Sequence, residues 1–269
     1  MSLKNLSIII CNYNLLEHLK IVSKRVKELS PDSELILADD HSDDGSYEWA
    51  KSSGLFDNIY YKPIREPYCL CTIRNEAIKL ATREYILLLD SSCYPADFCL
   101  DGHIIILEAN KNNISQGEVI WLKDMMIPKH EELKISPKVL SASWLCAAGG
   151  NLAFPKSSWD KIGGFDEAFN GAWGHEDNDF LFRLEKAGHY ILNHFSSIIF
   201  HMYHETKCQE SKLKESINLE LFKQKHFKKE CLQENVIKHA FFLRKEKNIS
   251  IEEALKRASF LYAWIGTMS

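Results

Sequence analysis

Several features that mark whole classes of protein are missing from this sequence of 269 residues. Basic residues are not in excess: 33 Lys and Arg stand against 37 Asp and Glu, a formal net charge of -4, so no nucleic-acid partner is expected. The longest apolar runs, such as 85–89 and 104–107, are far too short to cross a bilayer. No charged and apolar leader precedes the first predicted strand at Leu6, so we expect no signal peptide.

The eight cysteines include no CxxC pair. Cys69 and Cys71 form a CxC, which is a poor spacing for zinc ligands. Several of the other cysteines lie in apolar, strand-like runs, a usage typical of reduced thiols in intracellular proteins. We therefore expect a cytoplasmic protein, and a position at the inner face of a membrane stays open because a membrane-bound substrate is not excluded.

Apolar, β-branched runs alternate with helical patterns along most of the chain. Strands are predicted at 6–10, 34–38, 59–61, 85–89, 117–122, 149–155 and 191–200. Helical patterns between most of these strands imply right-handed crossovers and a mostly parallel sheet, and therefore an α/β fold.

After residue 205 the sequence becomes rich in Lys and Glu and has only helical patterns. We therefore predict a main domain at 1–205 and a helical C-terminal extension at 206–269. Ser250 and Glu253 form a capping box for a last helix within the extension. These helices are candidates for homo-oligomer contacts or for docking to a polymerising partner.

Acidic residues directly follow two of the predicted strands. Asp39 and Asp40 end the second strand, and Asp90, followed by Ser91 and Ser92, ends the most apolar strand. Because ligands bind beyond the carboxyl ends of parallel strands, both clusters should meet in one crevice. A carboxylate there can accept from a nucleobase or ribose, or hold Mg²⁺ or Mn²⁺ against a diphosphate. In each case an ordinary strand-ending turn is the structural alternative.

Three other polar side chains stand at the ends of predicted elements. Arg74 begins a helix between two strands and suits a diphosphate or a base carbonyl, unless it simply faces solvent. His201 follows the last strand and His204 comes three residues later. One histidine can serve as a metal ligand and the other as an acceptor contact, although a strand-end histidine is also common for structural reasons.

The densest cluster of acids lies in the stretch 163–179, GGFDEAFNGAWGHEDND. Its glycines predict a loop, and Glu176 and Asp177 fall on the first turn of a helix, where backbone N–H groups favour negative charge. A carboxylate held there beside Trp173 can remove a proton from a hydroxyl bound against the indole. An acidic cluster that merely caps the helix is the alternative.

Taken in order along residues 5–205, these features resemble the inverting, GT-A-fold glycosyltransferases of the family-2 type. The segment from Gly149 to Asp179 is similar to the acceptor-side segment of β-1,4-galactosyltransferases and chondroitin-polymerase-like enzymes. The resemblance implies a Rossmann-like, mostly parallel central sheet flanked by helices. It also implies transfer of a sugar, with inversion, from a UDP-sugar to a hydroxyl of a saccharide or glycolipid acceptor.

On the donor side, the resemblance implies that Asp40, more than Asp39, contacts the uridine of the UDP-sugar. Arg74 matches the residue that contacts the nucleotide or diphosphate. Asp90, with Ser91 beside it, matches the first acid of the family's DxD motif, which contacts ribose or metal. A divalent cation, Mn²⁺ or Mg²⁺, would be held by Asp90, Ser92 and His201.

On the acceptor side, the resemblance assigns three residues of the glycine-rich stretch. Trp173 and Glu176 match the tryptophan and the acid that bind the acceptor, with His204 as a further acceptor contact. Asp177 matches the catalytic base.

The chain departs from the family pattern at Ser92, which stands where the third DxD position is usually a carboxylate. A neutral hydroxyl binds a divalent cation much less well than a carboxylate, so metal affinity is expected to be low. A smaller departure is the segment CNYN at 11–14, where the family usually has a proline.

The sequence leaves two other classes of function as alternatives. A nucleotidyltransferase also uses an α/β sheet and acidic metal ligands, but it would be expected to have a glycine-rich, basic phosphate-binding loop after the first strand. The sequence there, CNYNLLEH, is neither glycine-rich nor basic. The departure at Ser92 suggests the second alternative, a degenerate GT-A domain that binds a sugar or a partner protein without catalysing transfer.

Overall fold

The computed structural model describes residues 2–128, 139–144, 148–205, 208–227, 250 and 252–253. The helices are α1 Leu16–Leu29, α2 Ser46–Ser53, α3 Leu70–Leu80, α4 Cys99–Ala109, α5 Lys156–Ile162, α6 Glu176–Lys186 and α7 Cys208–His226. The strands are β1 Leu6–Asn12, β2 Glu34–Asp39, β3 Asn58–Tyr61, β4 Tyr85–Asp90, β5 Cys93–Pro95, β6 Asn113–Gln116, β7 Glu118–Trp121, β8 Val139–Ser141, β9 Asn151–Pro155, β10 Tyr190–His194 and β11 Ile198–His201.

The main sheet has eight strands in the order β3-β2-β1-β4-β9-β6-β10-β8. The first four run parallel, β9 is antiparallel to both of its neighbours, β10 is parallel to β6, and β8 is antiparallel to β10. Two reversed strands in an otherwise parallel sheet confirm the predicted, mostly parallel α/β architecture.

Both faces of the sheet are covered, which is why β1, β2 and β4 contain continuous apolar runs rather than an alternating pattern. In β1, Ile8 and Ile10 pack with residues of α1 and α4, whereas Ile9 packs with residues of α3 and α6 on the other face. All three side chains are fully buried. Burial of an aliphatic side chain contributes roughly 1.5–3 kcal/mol, so these central strands fix the position of everything at their ends.

A second sheet of three strands, in the order β5-β11-β7, stands beside the carboxyl end of β4. Its register sets His201 of β11 opposite Cys93 of β5 and Trp121 of β7. Cys93 comes three residues after Asp90, so the small sheet brings His201 to the strand end that carries the predicted metal ligands.

One stretch predicted as a single strand is divided between the two sheets, and another follows directly on a strand that was not predicted. The predicted strand at 191–200 is β10 and β11, and the predicted strand at 117–122 is β7, preceded by the unpredicted β6. Gly117 is the turning point: its N–H donates to the Asn151 carbonyl at 2.9 Å, and a Cβ there would lie 2.0 Å from the Asn151 amide. β6 escaped prediction because its sequence, NISQ, is polar although all four residues are buried.

Helix α7 packs against the main domain. Phe222 and Phe227 are buried against Trp144 and Phe182. The division at residue 205 stays a prediction, although the first helix beyond it shares the domain's core. The Glu253 N–H donates to Ser250 Oγ at 3.1 Å, as a capping box requires, while most of the last predicted helix lies outside the described residues.

Within the described part of the chain, no helix combines the length and the apolar character needed to span a membrane.

Candidate active site

The two acidic clusters lie at one edge of the main sheet. Asp39 pairs in register with Asn12 of β1, and Asp90 pairs with Cys11 on the other side of the same strand. Beyond the strands, the Asp40 N–H donates to the Asn12 carbonyl at 2.9 Å, and the Ser91 N–H donates to the Cys11 carbonyl at 2.8 Å. These bonds direct both acid-bearing turns into the crevice where a parallel sheet binds ligands.

Asp39 and Asp40 differ in how their oxygens are used. Asp39 is fully buried, and its carboxylate accepts from the Asn12 amide at 2.9 Å and from the Ser42 N–H and hydroxyl at 2.7 and 2.9 Å. In Asp40, Oδ2 accepts from the Cys69 N–H at 3.4 Å, whereas the buried Oδ1 has no protein partner. Burial raises the pKa of both carboxyls. The unpaired oxygen makes Asp40 the better placed of the two to receive an N–H or O–H from a ligand.

Arg74 is the electrostatic centre of the site. Its guanidinium is 1% exposed and lies among three carboxylates: Nη1 is 2.5 Å from Asp177 Oδ1 and 3.5 Å from Glu176 Oε1, and Nη2 is 3.9 Å from Asp90 Oδ1. Arg74 therefore connects the donor-side acid Asp90 with the two acids of helix α6. Its predicted contact with a nucleotide or diphosphate stays a prediction, since the guanidinium here is held by protein carboxylates.

Asp177 is fixed at both oxygens. Oδ1 accepts from Arg74, and Oδ2 accepts from the Gly149 N–H at 2.8 Å. The residue lies on the first turn of α6, where the chain enters through Gly174 at φ +88° and His175 at φ +67°. A left-handed conformation is costly for a residue with a Cβ, so His175 holds strained backbone directly before the acids.

Gly149 and Gly150 pass closely behind the acids. A Cβ on Gly149 would lie 2.3 Å from Asp177 Oδ1 and 2.4 Å from Arg74 Nη2, and one on Gly150 would lie 2.7 Å from Asp90 Oδ2. The sequence GGN before β9 indicated only a glycine-led strand. The structure gives the reason for both glycines, because the backbone itself forms the back wall of the carboxylate site.

We expect Gly149→Ala to reduce activity strongly while the protein still folds. The new methyl group must displace the Asp177 carboxylate or the Arg74 guanidinium, and a displacement of about 1 Å costs roughly 100-fold in rate. The turnover rate and the melting temperature of the variant are measured together. Gly54→Ala is the control, since it places a methyl group on a glycine with no neighbour within 4 Å, where any loss of stability comes from its left-handed backbone, φ +69°, and not from contact with the site. A Gly149→Ala variant with unchanged turnover would contradict the proposed position of the base.

Glu176 and Asp179 stand on either side of Asp177 but have different surroundings. Glu176 is buried, and that burial, with the nearby charge of Asp177, raises its pKa to about 7 against the opposing effect of Arg74. Asp179 is fully buried, in an ion pair with Arg183 and a hydrogen bond with His226 Nε2, each at 2.7 Å. The acid cluster thus divides into two residues that face the site and one that joins α6 to α7.

The raised pKa of Glu176 predicts a pH-dependent stability. Its folded pKa lies above the usual value of 4.5, so the folded state holds this proton more tightly, and the resulting stability is lost as pH rises through 7. Glutamine cannot ionise, so the stability of Glu176→Gln relative to the wild type should rise between about pH 4.5 and pH 7, by an amount on the order of 1–3 kcal/mol. Urea unfolding at several pH values measures the difference, and parallel pH curves would refute it.

The predicted metal ligands lie together beside the carboxylate centre. Ser92 Oγ is 3.1 Å from His201 Nε2, and the Asp90 side chain is 38% exposed at the end of β4. Burial and the neighbouring His204 lower the pKa of His201 to about 4, so its imidazole is neutral and able to bind a metal. Across the described residues no group of three or more His, Cys, Asp or Glu side chains is arranged to hold a metal ion. The protein ligands available near this strand end are therefore one carboxylate, Asp90, and one neutral imidazole, His201, fewer than a cation site built from protein side chains alone requires.

Two exposed tryptophans border the site. Trp173 is 51% exposed in the loop of residues 170–175, hereafter the Trp173 loop, between glycines with φ near +90°. Trp121 is 72% exposed and stacks on the His201 ring with centroids 4.0 Å apart. Sequence reasoning did not single out Trp121, although an aromatic residue at the end of a strand in this fold was a usable signal. The His204 ring lies 5.2 Å from that of His201 and 5.9 Å from that of His18.

The sequence profile of glycosyl transferase family 2 matches residues 7–144, just over half of the chain. The chain belongs to glycosyl transferase family 2. A second profile, described as the N-terminal domain of galactosyltransferase, matches residues 134–205. The first match includes Asp40, Arg74 and Asp90, and the second includes Trp173 and Asp177. The ion pair between Arg74 and Asp177 therefore connects the segments matched by the two profiles.

Curated relatives of this family-2 glycosyltransferase are longer proteins. The chondroitin synthase of Escherichia coli is 25% identical over 300 residues, which cover 97% of this chain and 42% of the relative. The validoxylamine A glucosyltransferase of Streptomyces hygroscopicus subsp. jinggangensis (strain 5008) is 32% identical over 72 residues, which cover 27% of this chain and 17% of the relative. The chain thus spans less than half the length of the curated relatives it matches.

Solved structures confirm the GT-A fold of this glycosyltransferase. The crystal structure of S. aureus TarS 1–349 in complex with UDP-GlcNAc has a TM-score of 0.64 at 13% identity, covering 97% of this chain and 81% of that one. The mannosyltransferase PcManGT from Pyrobaculum calidifontis, in complex with GDP-Man and Mn²⁺, has a TM-score of 0.62 at 15% identity, covering 82% of this chain and 63% of that one. Family membership favours glycosyl transfer over the nucleotidyltransferase alternative.

Proposed function

We propose that this glycosyltransferase moves a sugar from a UDP-sugar to a hydroxyl of a saccharide acceptor, with inversion at the anomeric carbon. The observation that carries the proposal is the position of Asp177. Its carboxylate is held by Arg74 and by the Gly149 N–H; Arg74 also faces Asp90, and the exposed Trp173 precedes Asp177 by four residues in the loop that enters α6.

In the proposed reaction Asp177 takes the proton of the acceptor hydroxyl. The hydroxyl oxygen forms a bond to the anomeric carbon as the bond from that carbon to the diphosphate oxygen breaks. The electron pair of the broken bond leaves with UDP, and a single displacement of this kind inverts the anomeric configuration. Both oxygens of Asp177 are oriented before the substrate arrives, which reduces the entropy cost of bringing base and hydroxyl together.

The donor is held by residues at the ends of β2 and β4. The unpaired Oδ1 of Asp40 is available for the N–H of a uracil base. Asp90 and His201 are the residues that would hold a divalent cation, which when bound would supply positive charge near the leaving UDP. Ser92 contributes a hydroxyl rather than a carboxylate, so we expect weak affinity for the free cation.

The acceptor lies against the Trp173 loop. A half-exposed indole provides a flat apolar surface for the face of a sugar ring, and Glu176, three residues on, is placed to bind hydroxyls of the same sugar. His204 is the further acceptor contact. The similarity to chondroitin synthase over 97% of the chain supports a saccharide acceptor and a role in polysaccharide or glycoconjugate synthesis.

One specific observation favours a second function, a sugar-binding module without catalysis. Ser92 removes a carboxylate from the metal site, and its hydroxyl lies 3.1 Å from the remaining imidazole. A chain that binds UDP-sugars but transfers nothing would have this role.

The test is a panel of UDP-, GDP- and dTDP-sugars incubated with chondroitin oligosaccharides, with and without Mn²⁺. Nucleotide release and the mass of the oligosaccharide are measured together. We expect release of UDP, matched by a gain of one sugar, only when donor and acceptor are both present. Transfer from GDP- or dTDP-sugars alone would overturn the donor assignment, and UDP-sugar binding without transfer would favour the binding module.

A further inference from the structure

A single side chain of helix α7 holds both ends of the Trp173 loop. The Asn218 side-chain amide donates to the Phe169 carbonyl at 3.0 Å and to the Gly174 carbonyl at 2.8 Å. Asn218 is 1% exposed, so these bonds are shielded from water. Phe169 immediately precedes the loop, and Gly174 lies between Trp173 and the acids of α6.

The loop has little regular structure of its own to fix its shape. Gly171 and Gly174 both adopt φ near +90°, and His175 follows with a left-handed backbone. On one side the loop is fixed to the start of α3, since the Gly171 N–H donates to the Tyr68 carbonyl at 3.1 Å and Asn170 bonds to Thr72 at 2.7 Å. Asn218 supplies the corresponding attachment on the other side.

Both family profiles end before this helix. They match residues 7–144 and 134–205, whereas α7 spans Cys208–His226. The attachment of the Trp173 loop to α7 is therefore a feature of this chain beyond the segments that define its family. A second contact reinforces it, because Lys225 of α7 pairs with Asp166 and lies over the ring of Phe169, 5.8 Å from its centroid.

From these contacts we propose that Asn218 is a positioning residue for the acceptor side of the site. It acts through the Trp173 loop: by holding the two carbonyls it sets the position of the indole and of the turn that leads into Glu176 and Asp177. The proposal rests on the proposed function only in calling this side of the site the acceptor side. The ordering of the loop by Asn218 stands independently.

Two variants of Asn218 and one control on the same helix test the proposal. Asn218→Ala removes both donors, and Asn218→Asp keeps the shape but turns a carboxylate oxygen toward two carbonyl oxygens. The control is His226→Gln, because it weakens the contact of α7 with Asp179, a residue outside the segment 169–175. Amide hydrogen exchange is followed for the segment 169–175, and the KM for donor and for chondroitin oligosaccharide is measured separately.

We expect exchange in 169–175 to rise about tenfold or more in Asn218→Ala, and further in Asn218→Asp, but not in His226→Gln. The KM for the oligosaccharide should rise about tenfold and kcat fall by 10- to 100-fold, with the KM for the UDP-sugar unchanged. A Trp173→Ala substitution added to Asn218→Ala should raise the oligosaccharide KM less than it does in the wild type.

Unchanged exchange in Asn218→Ala would overturn the proposal. Increased exchange with an unchanged oligosaccharide KM would overturn the positioning role, as would an equal rise in the KM of donor and oligosaccharide. A wild-type protein that transfers nothing would instead refute the proposed function, and the exchange measurement would then still decide whether Asn218 orders the loop.

Discussion

Replacing Asp177 by Asn is expected to lower the rate of sugar transfer by about 10²–10⁴-fold, the usual contribution of a general base. The amide cannot take the proton of the acceptor hydroxyl. It is close in size to the carboxylate, and its single oxygen can accept from either Arg74 or the Gly149 N–H but not from both. Binding of the UDP-sugar should change little, since the contacts proposed for the nucleotide lie at the ends of β2 and β4. Single-turnover transfer and UDP binding by calorimetry measure the two effects separately.

Asp179→Asn is the matched control, because it makes the same chemical change two residues away. Asp179 is buried against Arg183 and His226 and does not face the site. Its variant should lose thermal stability but keep the transfer rate of the folded enzyme within a few fold. The assignment of the base fails if Asp177→Asn retains activity, or if both variants lose activity in proportion to lost stability.

Replacing Arg74 by Met should cause the largest loss of stability among the substitutions considered. The guanidinium is 1% exposed and faces Asp90, Glu176 and Asp177, so the substitution leaves buried carboxylates without a cation. Removing one partner of a buried ion pair costs about 3–5 kcal/mol, which corresponds to a fall in melting temperature of roughly 10 °C for a chain of this size. The loss should grow as pH rises, since the carboxylates then repel one another more strongly.

A double variant separates charge repulsion from lost packing. Adding Asp177→Asn to Arg74→Met removes one of the unpaired charges and should recover part of the lost melting temperature. The control Arg65→Met breaks an exposed pair with Asp43, worth at most about 1 kcal/mol. An Arg74→Met protein that melts within a few degrees of the wild type at pH 8 would show that the carboxylates do not depend on this cation.

The position of the strand-end acids could be predicted because it follows from local sequence. Asp39 and Asp90 each come directly after an apolar run. Because ligands bind beyond the carboxyl ends of parallel strands, both acids were expected in one crevice. A glycine-rich loop followed by an apolar helical pattern located Glu176 and Asp177 in the same way, at the start of a helix. In all these cases the residue that carries the chemistry is adjacent to the pattern that reveals it.

The contacts within the site could not be predicted, because they join distant parts of the chain. The ion pair of Arg74 with Asp177 spans 103 positions, and the reason for Gly149 appears only once β9 lies behind α6. Nor does the sequence show that both carboxylate oxygens of Asp39 accept hydrogen bonds within the protein, whereas Oδ1 of Asp40 has no protein partner. The strand β6 was missed because most of its residues are polar and are buried through hydrogen bonds. Ser115, for instance, forms a hydrogen bond with His103.

The central claim is a single displacement in which Asp177 serves as the base, and the anomeric configuration of the product tests it most directly. The protein is given an α-linked UDP-sugar and the chondroitin oligosaccharide acceptor, and the new linkage is determined by NMR from the coupling of the anomeric proton. A single displacement gives a β-linked product formed in equal amount with UDP, and none is expected with Asp177→Asn. An α-linked product would contradict it, because retention requires a different mechanism from the one that this carboxylate is placed to catalyse.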